Sequence, residues 1–252
     1  RGSSVYQQTL NLTISEKQKL RRLLEENYLP KNRVYRYNFF YDNCTTRARD
    51  IIEKCIEGKV VYSEGKERLS FRDIVHQYTK GHEWDELGID MCLGSEADKP
   101  IDTRKQMFAP FYMLEAAKKA TIVVGDSVRP LILHEKKVVD VEPEDVREGF
   151  PLSPMVCVFI LIGVTCFVGW LQFKIRKIIW IWDLLLFGVQ GLAGCVITFL
   201  VFFSTHPTVG SNWLILLLNP IPLIYLPVMV YRAIKGKKDY YHTINIVCLT
   251  SF

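Results

Sequence analysis

"PMVCVFILIGVTCFVGWLQF" (residues 154–173) decides the fold class. It runs for 20 residues without a charge, the length an α-helix needs to cross the hydrocarbon core of a bilayer. Toward the C-terminus, residues 178–203 form a second apolar run in which Asp183 is the only charge. Residues 213–231 form a third, bent by Pro220, Pro222 and Pro227. Residues 240–252 are apolar but too short to span, and are predicted to begin a fourth helix. Toward the N-terminus the composition changes, and residues 1–150 are mixed and polar. The expected architecture is an extracytoplasmic α+β domain over 1–150 followed by an all-α transmembrane bundle over 154–252.

Charge sets the orientation. Before residue 151 there are 25 Lys and Arg against 25 Asp and Glu, so the polar part is neutral. The net +5 comes from the loops "KIRK" (174–177) and "RAIKGKK" (232–238), less Asp183 and Asp239. The intervening loop "STHPTVGSN" (204–212) has no Lys or Arg. By the positive-inside rule both basic loops are cytoplasmic, and residues 1–150 and 204–212 face the other side. The basic balance is therefore a topology signal, and no nucleic-acid partner is expected. An exported domain needs an export signal, yet Arg1 is followed by polar residues. The expectation is that more chain precedes Arg1.

The polar part reads as helices and short strands. Ser15 with Gln18 is a capping-box pattern for a helix carrying Leu20, Leu23 and Leu24 on one face and ending at Pro30. "YRYNFFYD" (35–42) alternates like a strand. Ile51, Ile52, Cys55 and Ile56 then recur at helical spacing until Gly58. Ser70 caps a helix with Phe71, Ile74, Val75 and Tyr78 on one face, and a further helix over 102–120 is interrupted near Pro110. "TIVV" (121–124) and "RPLILHEKKVVDV" (129–141) are predicted strands.

Within this frame Cys44 is the candidate nucleophile. Asn43 is a good N-cap residue, which places Cys44 in the first turn of its helix. There the positive end of the helix dipole favours the thiolate. The competing reading is a small buried residue at a strand–helix junction. Cys44 and Cys55 would lie about 16 Å apart along one helix, too far for a disulfide. A Cys55–Cys92 bridge would leave Cys44 free. Cys157, Cys166, Cys195 and Cys248 fall in apolar runs and read as packing residues.

Other chemistry is poorly supported. The histidines (76, 82, 134, 206, 242) lack metal-ligand spacing and no glycine-rich phosphate loop is present, so neither a metal nor a cofactor is expected. His76 falls between the apolar positions of its helix. "GIDMCLGSEADKP" (88–100) offers Asp90 and Asp98, which a polar turn also explains. Loop 204–212 supplies His206 and Asn212 on the same side of the membrane as the polar part. Asp183 follows "KIRK" closely and reads either as an interfacial residue or as a buried charge with a partner.

"LNLTISEKQKL", "YRYNFFYDNCTTRARDII", "GIDMCLGSEADKP" and "THPTVGSNWLILLLNPIPLI" together resemble the lipoprotein N-acyltransferase family of the Bacteroidota. "YDNCTTR" is the most specific of these motifs. The resemblance implies a papain-like exported domain on the periplasmic side of the bacterial inner membrane, only partly contained in this chain. It implies transfer of an acyl chain from a phospholipid to the N-terminal amine of a diacylated lipoprotein. Cys44 would carry the acyl group as a thioester, with Asn43 and Thr45 shaping its turn. The implied general base, a histidine, lies before Arg1. Otherwise His76, His82 or His206 takes that role, and Asp90, Asp98, His206 and Asn212 are candidate auxiliaries. The rival readings are a membrane-anchored cysteine peptidase or amidase, and a scaffold or lipid-binding protein without catalysis.

Overall fold

The computed structural model describes residues 4–65, 68–141, 150–237 and 240–241. The chain divides into two compact units, Arg1–Ile74 with Lys99–Val146 and Val75–Asp98 with Arg147–Phe252.

The first unit is α+β. Strand β1 (Val5–Leu10), helix α1 (Ile14–Tyr28), helix α2 (Cys44–Cys55) and strand β2 (Lys59–Val61) come first. Helix α3 (Phe71–Thr79) begins in this unit and ends in the other. Helix α4 (Glu83–Cys92) belongs wholly to the second unit. Helices α5 (Thr103–Gln106) and α6 (Pro110–Lys119) precede strands β3 (Thr121–Val124), β4 (Ser127–Pro130) and β5 (Ile132–Val139). The interruption at Pro110 is thus the α5–α6 boundary, with Pro110 in the first turn of α6, where its missing N–H costs nothing. β3 and β4 form a hairpin to which β2 adds antiparallel, whereas β5 pairs antiparallel with β1. Cys55, Ile56, Ala120, Ile122 and Leu131 form the core, with Leu20, Leu23 and Ile52 packed against it.

Two local expectations are corrected. The capping box of α1 is Thr13 with Glu16, not Ser15 with Gln18. The Glu16 N–H donates to Thr13 Oγ1 at 3.2 Å and the Thr13 N–H to the Glu16 carboxylate at 2.8 Å. Ser15 already lies inside the helix and donates to Glu57 at 2.6 Å. Leu24, assigned to the apolar face, is exposed. The second correction concerns residues 35–42, which form no strand. Asn38 Oδ1 accepts from the N–H groups of Phe40 and Tyr41, each at 3.2 Å, and closes a turn between the backbone pair Asn38 and Asp42. A side chain that captures neighbouring N–H groups competes directly with sheet pairing.

Glu16 is fully buried and anchors the far end of α2. It accepts from the Glu57 N–H at 2.9 Å and from Arg129 at 2.6 Å. Burial opposes its ionisation, but the Thr13, Glu57 and Arg129 hydrogen bonds outweigh that and hold the carboxyl below its usual range.

In the second unit, α4 leads to a short 3₁₀ turn (Ser95–Asp98), and helices α7 (Pro154–Ile175) and α8 (Trp180–Phe203) follow. Short helices α9 (Pro207–Gly210) and α10 (Leu214–Leu217) precede α11 (Ile221–Ile234). Among the described residues, three stretches are long and apolar enough to cross a membrane: Pro154–Ile175, Trp180–Phe203 and Leu214–Ile234. The third is broken after Leu217, ahead of Pro220, and Gln190 of α8 donates to the Leu217 carbonyl freed there at 2.9 Å. The close approach of this break to α8 needs glycine. A Cβ on Gly194 would come within 2.5 Å of the Asn219 backbone. Asp183 is buried in the first turn of α8. The predicted fourth helix lies outside the described residues, apart from Tyr240 and Tyr241.

Candidate functional site

The Cys44 turn is built from three sides. Asn43 is extended at φ −117° and caps α2, with its Oδ1 accepting from the Thr45 and Thr46 N–H groups, each at 2.9 Å. Its own N–H donates to Thr46 Oγ1 at 2.8 Å, closing a reciprocal box. Its Nδ2 donates to the Phe39 and Phe108 carbonyls, each at 2.9 Å. Asn43 is buried and every polar atom of its side chain is used. Beneath it, Phe40, Phe71 and Phe108 are buried and in mutual contact, with ring centroids 4.5–5.3 Å apart. Of the aromatic residues that resembled a strand, Phe40 thus joins Phe71 and Phe108 in the floor of the turn, whereas Tyr37, Phe39 and Tyr41 are exposed.

Cys44 itself is exposed. Its sulfur lies 4.0 Å from Thr45 Oγ1. The Thr45 and Thr46 N–H groups are consumed by the cap, whereas the Cys44 N–H has no acceptor among the described residues. An anionic oxygen developing beside the sulfur would therefore meet one free backbone donor.

Tyr37 and Arg47 flank the turn, and sequence reasoning did not single them out. Burial raises the Tyr37 hydroxyl above its ordinary range, and the Cys44 and Tyr35 charges add to the shift. Arg47 forms a two-point pair with Asp42 at 2.8 and 3.1 Å, and its guanidinium sits 3.4 Å from the centre of the Tyr35 ring. The spacing of Asp42 and Arg47 around Asn43 was the available signal. Farther along α2, buried Arg49 donates to Asp50 and to the Arg104 carbonyl, while Arg104 bridges Asp50 and Glu53.

The other candidates belong to the second unit. Asp90 faces His76, whose Nε2 lies 3.0 Å from each carboxylate oxygen. His76, Glu86 and Asp90 bring their donor atoms within 4.8 Å of one another, and together could hold a cation. Sequence spacing missed this group because it joins two helices. His82 precedes α4 without capping it and lies 3.9 Å from Asp85. His206 Nδ1 lies 3.2 Å from Ser204 Oγ. Asn212 is buried, donating to the Met91 carbonyl at 2.7 Å and accepting from the Leu214 N–H at 3.0 Å. Asp98 ends the 3₁₀ turn. Cys55 is buried and Cys92 exposed, and both are free thiols, so the bridge weighed between them is absent.

A search of curated proteins and a search of solved structures each found no match to the chain. Two family models match it. Residues 1–80 fit the Lnb N-terminal periplasmic domain, and residues 145–252 fit the Lnb transmembrane domain. The two segments fall in the order read from charge and hydropathy, and together they span well over half of the sequence. The chain belongs to the Lnb family, as a membrane protein with a periplasmic N-terminal domain of mixed helix and strand.

Proposed function

We propose that the protein moves an acyl chain from a phospholipid to the N-terminal amine of a lipidated lipoprotein, with Cys44 as the carrier. The observation that carries this reading is the capped turn that holds an exposed thiol beside its own unbonded N–H. The Cys44 thiolate attacks an ester carbonyl of the phospholipid, and the developing oxyanion accepts from the Cys44 N–H. The C–O bond breaks, and the lysophospholipid leaves as an alcohol after taking a proton. The lipoprotein amine then attacks the thioester carbonyl, the C–S bond breaks to regenerate the thiolate, and the amine nitrogen gives a proton to the general base as the amide forms. Asn43 is a positioning residue in this scheme, since its hydrogen bonds go to the turn and to the Phe108 carbonyl beneath it. Helices α7, α8 and α11 would hold the chain at the bilayer, where both lipid substrates reside.

A general base takes the Cys44 thiol proton and returns it to the leaving lysophospholipid. The family resemblance implies a histidine earlier than Arg1. Among His76, His82 and His206, only His76 has a carboxylate at hydrogen-bond distance.

The test is intact-mass spectrometry of the full-length protein after incubation with phospholipid, with a Cys44→Ala control. An added acyl mass that hydroxylamine removes, absent from the variant, is the expected result. Full transferase activity in Cys44→Ala would overturn the mechanism. Cleavage of a peptide without any phospholipid would favour the peptidase reading.

A further inference from the structure

We propose that α4 is an interfacial helix that lies on the bilayer surface, with its apolar face in the headgroup region of the phospholipid. It is pinned at both ends to segments that adjoin membrane-spanning helices. At its start, the Trp84 indole donates to the Leu152 carbonyl at 2.8 Å, and its ring meets Phe150 edge-on with centroids 5.7 Å apart. Leu152 lies two residues before α7. At its other end, Asn212 donates to the Met91 carbonyl at 2.7 Å. The Gly94 N–H donates to the Thr208 carbonyl at 2.6 Å and the Ser95 N–H to the Ser211 carbonyl at 3.1 Å. Thr208, Ser211 and Asn212 lie in the turn between α8 and the third membrane stretch. The approach is so close that a Cβ on Gly94 would stand 2.4 Å from the Ser211 backbone.

A helix of ten residues is about 15 Å long. Fastened by both ends to the same side of two membrane segments, it has to run along that surface.

Its residues suit that position. No residue of α4 is buried, although Trp84, Leu87 and Met91 follow one another at helical spacing. Leu87 is 38% exposed, and Trp84 keeps 36% of its surface open beside its contact with Phe150. Glu86 and Asp90, one turn apart, lie on another face and meet Thr79 and His76 of α3. The helix thus turns Glu86 and Asp90 to the protein and Trp84 and Leu87 outward, as a surface-bound amphipathic helix does. Tryptophan at the lipid–water boundary is the expected anchor. The occupant of the apolar face is phospholipid, because both fastening points sit at membrane-helix ends.

The experiment places the full chain in nanodiscs of zwitterionic phospholipid doped with a photoactivatable phospholipid whose diazirine lies near the headgroup. Adducts are mapped by peptide mass spectrometry. Adducts on residues 84–91 are expected, reduced several-fold in Leu87→Asp. Adducts confined to the three membrane stretches would overturn the proposal. A second measurement avoids dependence on that variant. A bimane label at Leu87→Cys, in a background lacking the native cysteines, should be quenched by brominated phospholipid more than by aqueous iodide. A label at Glu25→Cys should show the reverse. Equal iodide quenching at both positions, or shielding of position 87 from both quenchers, would overturn the proposal, the latter by pointing to a protein partner. Neither readout depends on acyl transfer.

Discussion

Helices α2 and α4 are of similar length and are held in opposite ways. α2 begins at a side-chain cap whose every polar atom is used, and it ends at a buried Cys55. α4 begins at His82 without a side-chain cap and buries none of its residues. α2 is fixed by the interior of its own unit, whereas α4 is fixed by its two ends and by the contacts of Glu86 and Asp90 with α3. The difference teaches that the exposed Cys44 is rigid for reasons beneath it. α4 by contrast owes the place of its two ends to segments distant in sequence. A thiol that must meet an ester at one angle needs the first kind of support. An element whose partner is a fluid surface can use the second.

The comparison predicts where each helix breaks. The largest effect is expected at Glu16, which ties the end of α2 to α1 and β4. Glu16→Ala leaves Arg129 without its buried partner and should destabilise the first unit by about 3–5 kcal/mol. Chemical denaturation of the purified protein, followed by far-UV circular dichroism, reads this directly. Because its folded pKa is lowered, Glu16 contributes stability above its unfolded value, and the contribution is lost as pH falls through the folded one. The wild type should therefore weaken below about pH 4. Glu16→Gln, already without that charge, should show a flatter acid limb, and an unchanged acid limb would remove Glu16 from this role.

Asn43→Ala comes next. It removes the cap of α2 and strands the Phe39 and Phe108 carbonyls, for about 2–3 kcal/mol together. Alkylation of Cys44 should become faster or less uniform as the turn loosens, and a thiol with unchanged reactivity would show that Asn43 does not position it. Gly94→Ala is expected to be smaller, about 1–2 kcal/mol, through the clash with Ser211. Its signature is regional. Hydrogen exchange should accelerate in residues 91–96 and 207–212 and stay unchanged around Cys44. Acceleration at both helices would erase the distinction drawn between them.

The membrane helices and the Asn43 cap were legible because their signals are local. Twenty uncharged residues or an Asx residue before a helical period needs no partner to be understood. The capping box of α1 slipped by two residues for a different reason. Ser15 and Thr13 offer the same local chemistry, and the choice is made by what Glu16 reaches across the fold. Residues 35–42 misled because alternating aromatics suit a strand only if another strand is present to pair with. Here Asn38 takes the N–H groups, and Phe71 and Phe108 take the rings.

Length, hydropathy and the placement of seven basic residues were enough to establish a membrane protein and its orientation, and Asn43 ahead of a helical period put Cys44 at a helix start, since each depends on neighbours within a turn or a span. Which histidine faces a carboxylate and how α4 is fastened to loop 204–212 depend on contacts between residues 14 and 121 positions apart. Those follow from the packing of the folded chain, because hydrogen bonds and close glycine contacts are short-ranged in space whatever their separation in sequence.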